Sequence, residues 1–376
     1  MTPTYTSPAT NYDVLVIGGG MAGVSVGALV ATTCRVAVLE REERPGMHAT
    51  GRSAALYAPA YGSGATRRLT KASATMFRAP TAPGDAPFLR PRATMLVATE
   101  AQRPALQALH DEEPTLFEWL DGAGVRARVP IFRTDGVAHA LLDESSADID
   151  VDALLHHYLR MLRRYGGALL TGAGPTAIAA TPAGWQVETA RGTVTAPVLV
   201  DAAGAWADEV ATLAGARPVG LSPRRRTAAL VDAPACAGFD RWPSVIDAAE
   251  RFYFKPEAGK LLVSPAEETE VEPHDAYADD QALAEGIDRI MRLTTLAVER
   301  MPRSWAGLRT FAADRLPVIG FATDAPGFFW LAGQGGYGIQ TAPAAAELAA
   351  SLILKAPLPN FADDALVAAL SPGRFS

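Results

Sequence analysis

The chain has 376 residues, 49% of them hydrophobic and 20% charged, with a formal net charge of −7. Its length calls for two packed lobes rather than one minimal domain. The acidic balance excludes ordinary nucleic-acid binding, which rests on Lys and Arg neutralising phosphates.

Cys34 and Cys236 stand far apart in no metal-ligand spacing, and the six histidines form no HxxxH or HExxH pattern, so neither a metal site nor a disulfide scaffold is expected. The polar, uncharged N-terminus lacks the basic and apolar regions of a targeting segment. No run approaches the roughly 20 apolar residues needed to span a bilayer. The expectation is a soluble, cytoplasmic chain.

In chain order, Tyr12–Ile17 is apolar apart from Asp13, as in a parallel strand buried on both faces. Gly18-Gly19-Gly20-Met21-Ala22-Gly23 follows, then an apolar helix to Thr33 and a second strand, Arg35–Leu39. Gly18, Gly20 and Gly23 satisfy GxGxxG, and Glu40 closes the second strand 17 residues after Gly23. Glycines here permit a tight turn and close backbone approach, so that a pyrophosphate sits on the helix N-terminus. Glu40 then accepts hydrogen bonds from ribose hydroxyls and disfavours a 2′-phosphate. This segment reads as a dinucleotide-binding unit.

Helical periodicity returns at 66–77 and 105–122, with a strand at 92–98 between them. Val151–Tyr165 is a strong helix, opened by Asp150 and closed by Gly166-Gly167. Residues 176–201 read as short strands ending in Asp201-Ala202-Ala203-Gly204-Ala205-Trp206, and 217–310 as mainly strands with one helix near 279–295. Gly333-Gln334-Gly335-Gly336-Tyr337-Gly338-Ile339-Gln340 then opens a helix over 341–354. The pattern predicts an α/β, Rossmann-like domain made of 11–85, 145–220 and 305–365, with an inserted mixed-sheet α+β domain of 86–144 and 221–304.

Arg309, in Trp305-Ala306-Gly307-Leu308-Arg309-Thr310-Phe311, has apolar neighbours that predict partial burial. A buried guanidinium needs an anionic partner, and a substrate carboxylate matches its fork. A lone strand-end Arg is also commonly a surface ion-pair partner. Of Arg224-Arg225-Arg226, at most two can face one site, because strand residues alternate faces. Tyr61 and Tyr253 suit core or rim positions as well as catalytic ones, and His48, His156 and His157 read as surface or satisfied residues.

These stretches, with "PGMHATGRSAALYAPAYG", "RRRTA", "FYFKP" and "WAGLR", run in order along nearly the whole chain. Together they resemble the D-amino acid oxidase, glycine oxidase and sarcosine oxidase family of FAD enzymes, and within it the bacterial FAD-dependent D-arginine dehydrogenases. The resemblance implies non-covalent FAD between two lobes and hydride transfer from a substrate Cα to the flavin. It implies that Arg309 and Tyr253 hold the substrate carboxylate, with Arg226 near the same pocket and Tyr61 over it on a mobile loop. Gly336 and Gln340 would line the space beside the flavin.

It also assigns Met21, Ala22, Arg41, Thr50, Gly51, Arg52, Ser53, Ala54, Thr176, Ala202, Ala203, Gly204, Trp206, Gly307, Gly335, Tyr337, Gly338 and Ile339 to the cofactor. Where the D-arginine enzymes carry His and Thr in the loop and Glu across the pocket, this chain has Leu56, Ala58 and Thr94. An unpaired cation in a dry site costs several kcal/mol, so a free amino acid with a neutral side chain is the expected substrate. The electron acceptor implied is a quinone, an electron-transfer protein or O2, the first compatible with peripheral attachment at an inner membrane. Rival expectations are a glycine- or sarcosine-type amine oxidase, an oxidase for a specialised amino acid, and a flavin-binding electron-transfer subunit without its own substrate.

Overall fold

Residues 10–80 and 86–375 are described by a computed structural model of the protein. Most of the N-terminal stretch read for a targeting segment lies outside them. Four apolar runs whose residues are almost all buried make the centre of a six-stranded sheet, in the order Val318–Phe321, Phe328–Ala332, Val198–Asp201, Val14–Ile17, Val36–Leu39 and Ala168–Leu170. All its neighbours pair in parallel except the first two. Parallel strands are covered on both faces, which is why these runs are continuous rather than alternating. Helices Met21–Val30, Val151–Arg164 and Gly338–Leu354 pack over one face. The three-stranded antiparallel sheet of Pro175–Thr181, Gly184–Thr189 and Gly192–Ala196 covers the other, through Ile178, Trp185 and Val187.

The second large sheet has nine strands. It draws Thr94–Ala98, Glu118–Asp121 and His139–Asp143 from one part of the chain, and Ser222–Asp232, Ser244–Asp247, Tyr253–Glu257, Lys260–Ser264, Thr269–Glu270 and Arg303–Phe311 from another. One face buries Met95, Val97, Val245, Phe254 and Val263 with Leu283, Ile287 and Ile290 of the helix Asp280–Leu293. Its other face carries Arg226, Tyr253 and Arg309 toward the first sheet. The strand Arg303–Phe311 pairs with Ser222–Asp232 along its full length, so the domain boundary expected at 305 falls inside a strand of this sheet.

The helices expected at 66–77, 151–165 and 279–295 are found at Gly64–Arg78, Val151–Arg164 and Asp280–Leu293. Each begins at a polar cap: Ser63, Asp150 and Asp279 accept from the backbone N–H three residues on, and such caps contribute about 1 kcal/mol each. The helix expected at 105–122 is a correction. It runs from Arg103 to Glu112, and the chain then forms the strand Glu118–Asp121 and a second helix, Gly122–Arg128. Pro114 disfavours helical geometry at the residue before it, and the Asp121 carboxylate accepts from Gly124 N at 2.8 Å to start the second helix.

Among the described residues no helix is long and apolar enough to cross a membrane, and no group of three or more His, Cys, Asp or Glu could hold a metal ion.

Candidate active site

An elongated cavity of about 1980 Å3, its open mouth included, runs from the first glycine turn to the inner face of the nine-stranded sheet. At one end the walls are backbone. Gly18 has φ +107°, and a Cβ there would stand 2.4 Å from the carbonyl oxygen of Ala202. A Cβ on Gly23 would meet Gly18 O at 1.9 Å, so this glycine serves close packing of turn on helix.

The helix Met21–Val30 has Gly20 as its N-cap, with no side-chain cap bond and no acidic residue in its first turn. Apart from Met21 N, its first-turn N–H groups and its positive end are therefore free to meet an anion. Thr50 Oγ1 accepts from Met21 N at 3.0 Å. Glu40 is buried, its two carboxylate oxygens accepting from Gly19 N at 2.7 Å and Glu42 N at 2.8 Å. Each oxygen keeps a lone pair for a hydroxyl donor.

The acidic segment before the helix Asp280–Leu293 also reaches the cavity. His274 and Ala276 line the cavity there. Arg52 staples this segment in place: Nη1 donates to Ala276 O at 2.7 Å and to Ala306 O at 3.1 Å, Nε donates to Met47 O at 3.1 Å, and Nη2 pairs with Asp275. His48 shares a hydrogen bond with Glu42 at 2.9 Å and packs its ring 4.7 Å from Trp206. Arg41 lies over the same indole, 4.9 Å from its centroid.

The far end is made of side chains. Arg226, Ala228 and Arg309 come from paired strands whose register sets Arg226 against Gly307 and Arg224 against Arg309. Alternation therefore puts Arg226 and Arg309 on one face and turns Arg225 to the other, where it pairs with Asp279. Arg226 is 7% exposed; its Nη2 donates to Glu268 Oε1 at 3.0 Å, and its Nε has no partner. Arg315 holds the same carboxylate at 3.0 Å.

Among the described residues the Arg309 side chain makes no hydrogen bond or ion pair within 4.0 Å. It lies against Gly336, where a Cβ would be 2.7 Å from Arg309 Nη1. Burial works against its charge, but the fields of Tyr253, Tyr61, Glu268 and Glu250 outweigh burial and raise its pKa. Burial followed by the repulsion of Arg309 lowers that of Arg226. Burial pushes the phenols of Tyr61 and Tyr337 up, and their rings pack 5.1 Å apart.

Of the expected cofactor residues, Gly18, Gly20, Met21, Ala22, Glu40, Arg41, Thr50, Arg52, Ser53, Ala54, Ala202, Ala203, Gly204, Trp206, Gly307, Gly335, Gly336, Gly338 and Ile339 line the cavity. Gly23, Gly51, Thr176, Tyr337 and Gln340 stand outside that lining. Thr176 is exposed, bonds Glu188 O, and leaves the wall to Pro175. Gln340 is buried, with Oε1 accepting from Ala58 N at 3.0 Å and Nε2 unpaired.

Of the expected substrate residues, Arg226, Tyr253, Arg309 and Gly336 line the cavity, whereas Tyr61, Leu56, Ala58 and Thr94 do not. Leu56 is tied up in a short strand against Asp148, and Thr94 is buried at a strand start. Sequence reasoning missed Ala228, Thr310 and Glu268. The position two residues after Arg226 was the available signal for Ala228, since strand neighbours at i and i+2 share a face.

The cavity suits a dinucleotide cofactor. It offers uncapped helix N-termini at Gly20 and Gly338, an acidic residue at the ribose position, and a buried Thr310 hydroxyl without a partner. Neither Cys34 nor Cys236 lines it. A model of the FAD dependent oxidoreductase family, DAO, matches residues 13–352. The chain belongs to that family. Its cofactor is FAD, and it is an oxidoreductase.

Among curated relatives it is 29% identical over 392 residues to the bifunctional tRNA 5-methylaminomethyl-2-thiouridine biosynthesis protein MnmC of Caulobacter sp. (strain K31), covering 98% of this chain and 59% of that protein. It is 25% identical over 289 residues to the hydrogen cyanide synthase subunit HcnC of Pseudomonas aeruginosa, covering 73% of this chain and 66% of that one. It thus spans less than two thirds of the length of these relatives. Its fold is that of glycine oxidase from Geobacillus kaustophilus, with a TM-score of 0.82 at 22% identity, covering 96% of this chain and 98% of the other.

Proposed function

We propose that the chain oxidises the Cα–N bond of a free amino acid, by preference a D-amino acid with a neutral side chain, using FAD held without a covalent bond. The product imine hydrolyses to a 2-oxo acid and ammonia. The observation that carries this reading is Arg309, a guanidinium facing the cavity with no partner of its own within ion-pair distance. Its fork accepts a carboxylate through two parallel hydrogen bonds, and the Tyr253 hydroxyl, on the same sheet face, can donate a third.

A carboxylate fixed at that end of the cavity aims Cα along the cavity toward the glycine turn 335–336, a positioning effect. FAD, when bound, accepts the two electrons that leave the substrate. Beside Tyr253 the cavity is lined by the apolar Ala54 and Ala228, which favours an uncharged side chain. These features also fit the D-arginine dehydrogenases that the motifs resemble, apart from their cationic substrate.

Anaerobic bleaching of the bound flavin by a panel of D- and L-amino acids tests the proposal. Neutral D-amino acids should bleach fastest. D-arginine as the fastest reductant would remove the neutral preference, and a flavin left oxidised by every amino acid would remove the reading itself. A second reading is a small amine such as glycine or sarcosine, in keeping with the fold shared with glycine oxidase. Oxygen consumption with each amine distinguishes the two.

A further inference from the structure

We propose that Glu268 is a specificity-determining residue that restricts the site to substrates with one carboxylate. The inference rests on the reading that Arg309 holds the substrate carboxylate. Two guanidiniums, Arg226 and Arg309, face the same end of the cavity from one sheet face. Alone, they would form a site for two carboxylates.

Glu268 cancels one of them. Its carboxylate accepts from Arg226 Nη2 at 3.0 Å, and Arg315 holds both of its oxygens, also at 3.0 Å. Burial raises the Glu268 carboxyl, but the bond to Arg315 and the fields of Arg226, Arg315 and Arg309 bring it below the usual range, so it is ionised at neutral pH. A second substrate carboxylate approaching Arg226 would be set beside a fixed like charge, and such juxtaposition costs several kcal/mol. Arg309 keeps its full charge for the one carboxylate that remains.

Arg315 sits in a turn with φ +61°, its N–H donating to Ala312 O at 2.9 Å. Its ring contact, 4.0 Å from the Phe311 centroid, and its pair with Glu268 hold it there. Neither Glu268 nor Arg315 lines the cavity itself: Glu268 acts on it through Arg226, and Arg315 braces it from behind.

The test is titration of the oxidised holoenzyme with acetate and with malonate, followed by the flavin absorbance change. The wild type should bind malonate no more tightly than acetate. A wild-type preference for malonate of about tenfold or more overturns the proposal without any variant. In Glu268→Gln, malonate affinity should rise by about tenfold or more while acetate affinity stays within about threefold. Glu268→Asp, which keeps the charge, should retain the wild-type ratio.

Equal weakening of both ligands in Glu268→Gln would show that Glu268 only holds the site together, and unchanged affinities would show that it does not govern the site; either result overturns the inference. Arg309→Lys separates the two readings. Unchanged acetate binding there removes the carboxylate assignment. Acetate binding lost in Arg309→Lys, with no malonate gain in Glu268→Gln, removes the Glu268 inference alone.

Discussion

The two ends of the cavity are built on different principles. At the nucleotide end, the turn 18–23 and Glu40 fall within 23 consecutive residues, and the walls are backbone atoms whose spacing forbids a side chain. At the end proposed for the substrate, Arg226, Tyr253 and Arg309 line the cavity from separate strands, and Glu268, from a connecting segment, pairs with Arg226 behind the wall. The first end cannot vary without losing its shape. On the proposed reading, the second can change its ligand by one substitution and keep its shape. A family can therefore hold its cofactor constant while its substrates diverge.

The sharpest way to break the comparison is Gly18→Ala. The Cβ would meet Ala202 O at 2.4 Å in a left-handed backbone, so the protein should lose its flavin absorbance and about 2–4 kcal/mol of unfolding free energy. A yellow Gly18→Ala protein with wild-type stability would mean that the backbone end tolerates variation after all.

Next in size, Arg309→Ala should lower kcat/KM by about two orders of magnitude, chiefly through KM, while the protein remains yellow; steady-state kinetics with flavin content measured in parallel would show it. Arg52→Lys should lose the bonds from Arg52 to Ala276 O and Ala306 O and so loosen the segment that carries Ala276. The expected result is a few-fold faster loss of FAD, followed by the rise in free-flavin fluorescence on dilution, because the Asp275 partner is largely exposed and such pairs contribute about 0.2–1 kcal/mol.

The smallest effect is on pH. Glu268 has a lower pKa folded than the 4.5 of a free carboxyl, so its pairing stabilises the native state fully above that pH. The stabilisation is lost as pH falls through the lowered folded value. The acid limb of a stability curve should be shallower in Glu268→Gln than in the wild type.

This contrast also decides what was legible in the sequence. Gly18, Gly20, Gly23 and Glu40 carry their geometry in their spacing, and the structure finds them as a strand, a turn and a helix in contact. Arg309 was marked by its Trp, Leu and Phe neighbours. The choice among Arg224, Arg225 and Arg226 was not legible, because alternation limits the number facing inward but only strand pairing fixes which. Glu268 was hidden for a different reason: in "AEETEVEPHD" every carboxylate resembles its neighbours, and only the fold sets one against a buried guanidinium. Leu56, Ala58 and Thr94 were reached through resemblance, and the structure places none of them on the cavity wall. The break after Glu112 shows the same limit locally, since apolar spacing continued past a proline that the helix could not.

The polypeptide crosses between the two large sheets four times, after Leu39, Asp143, Asp201 and Phe311. Neither sheet is contiguous in sequence, and the strand Phe328–Ala332 with the helix Gly338–Leu354 closes the first only near the end of the chain. During synthesis from the N-terminus, a ribosome therefore exposes the glycine turn long before the wall opposite it exists. The complete flavin cavity exists only once nearly the whole chain has been made.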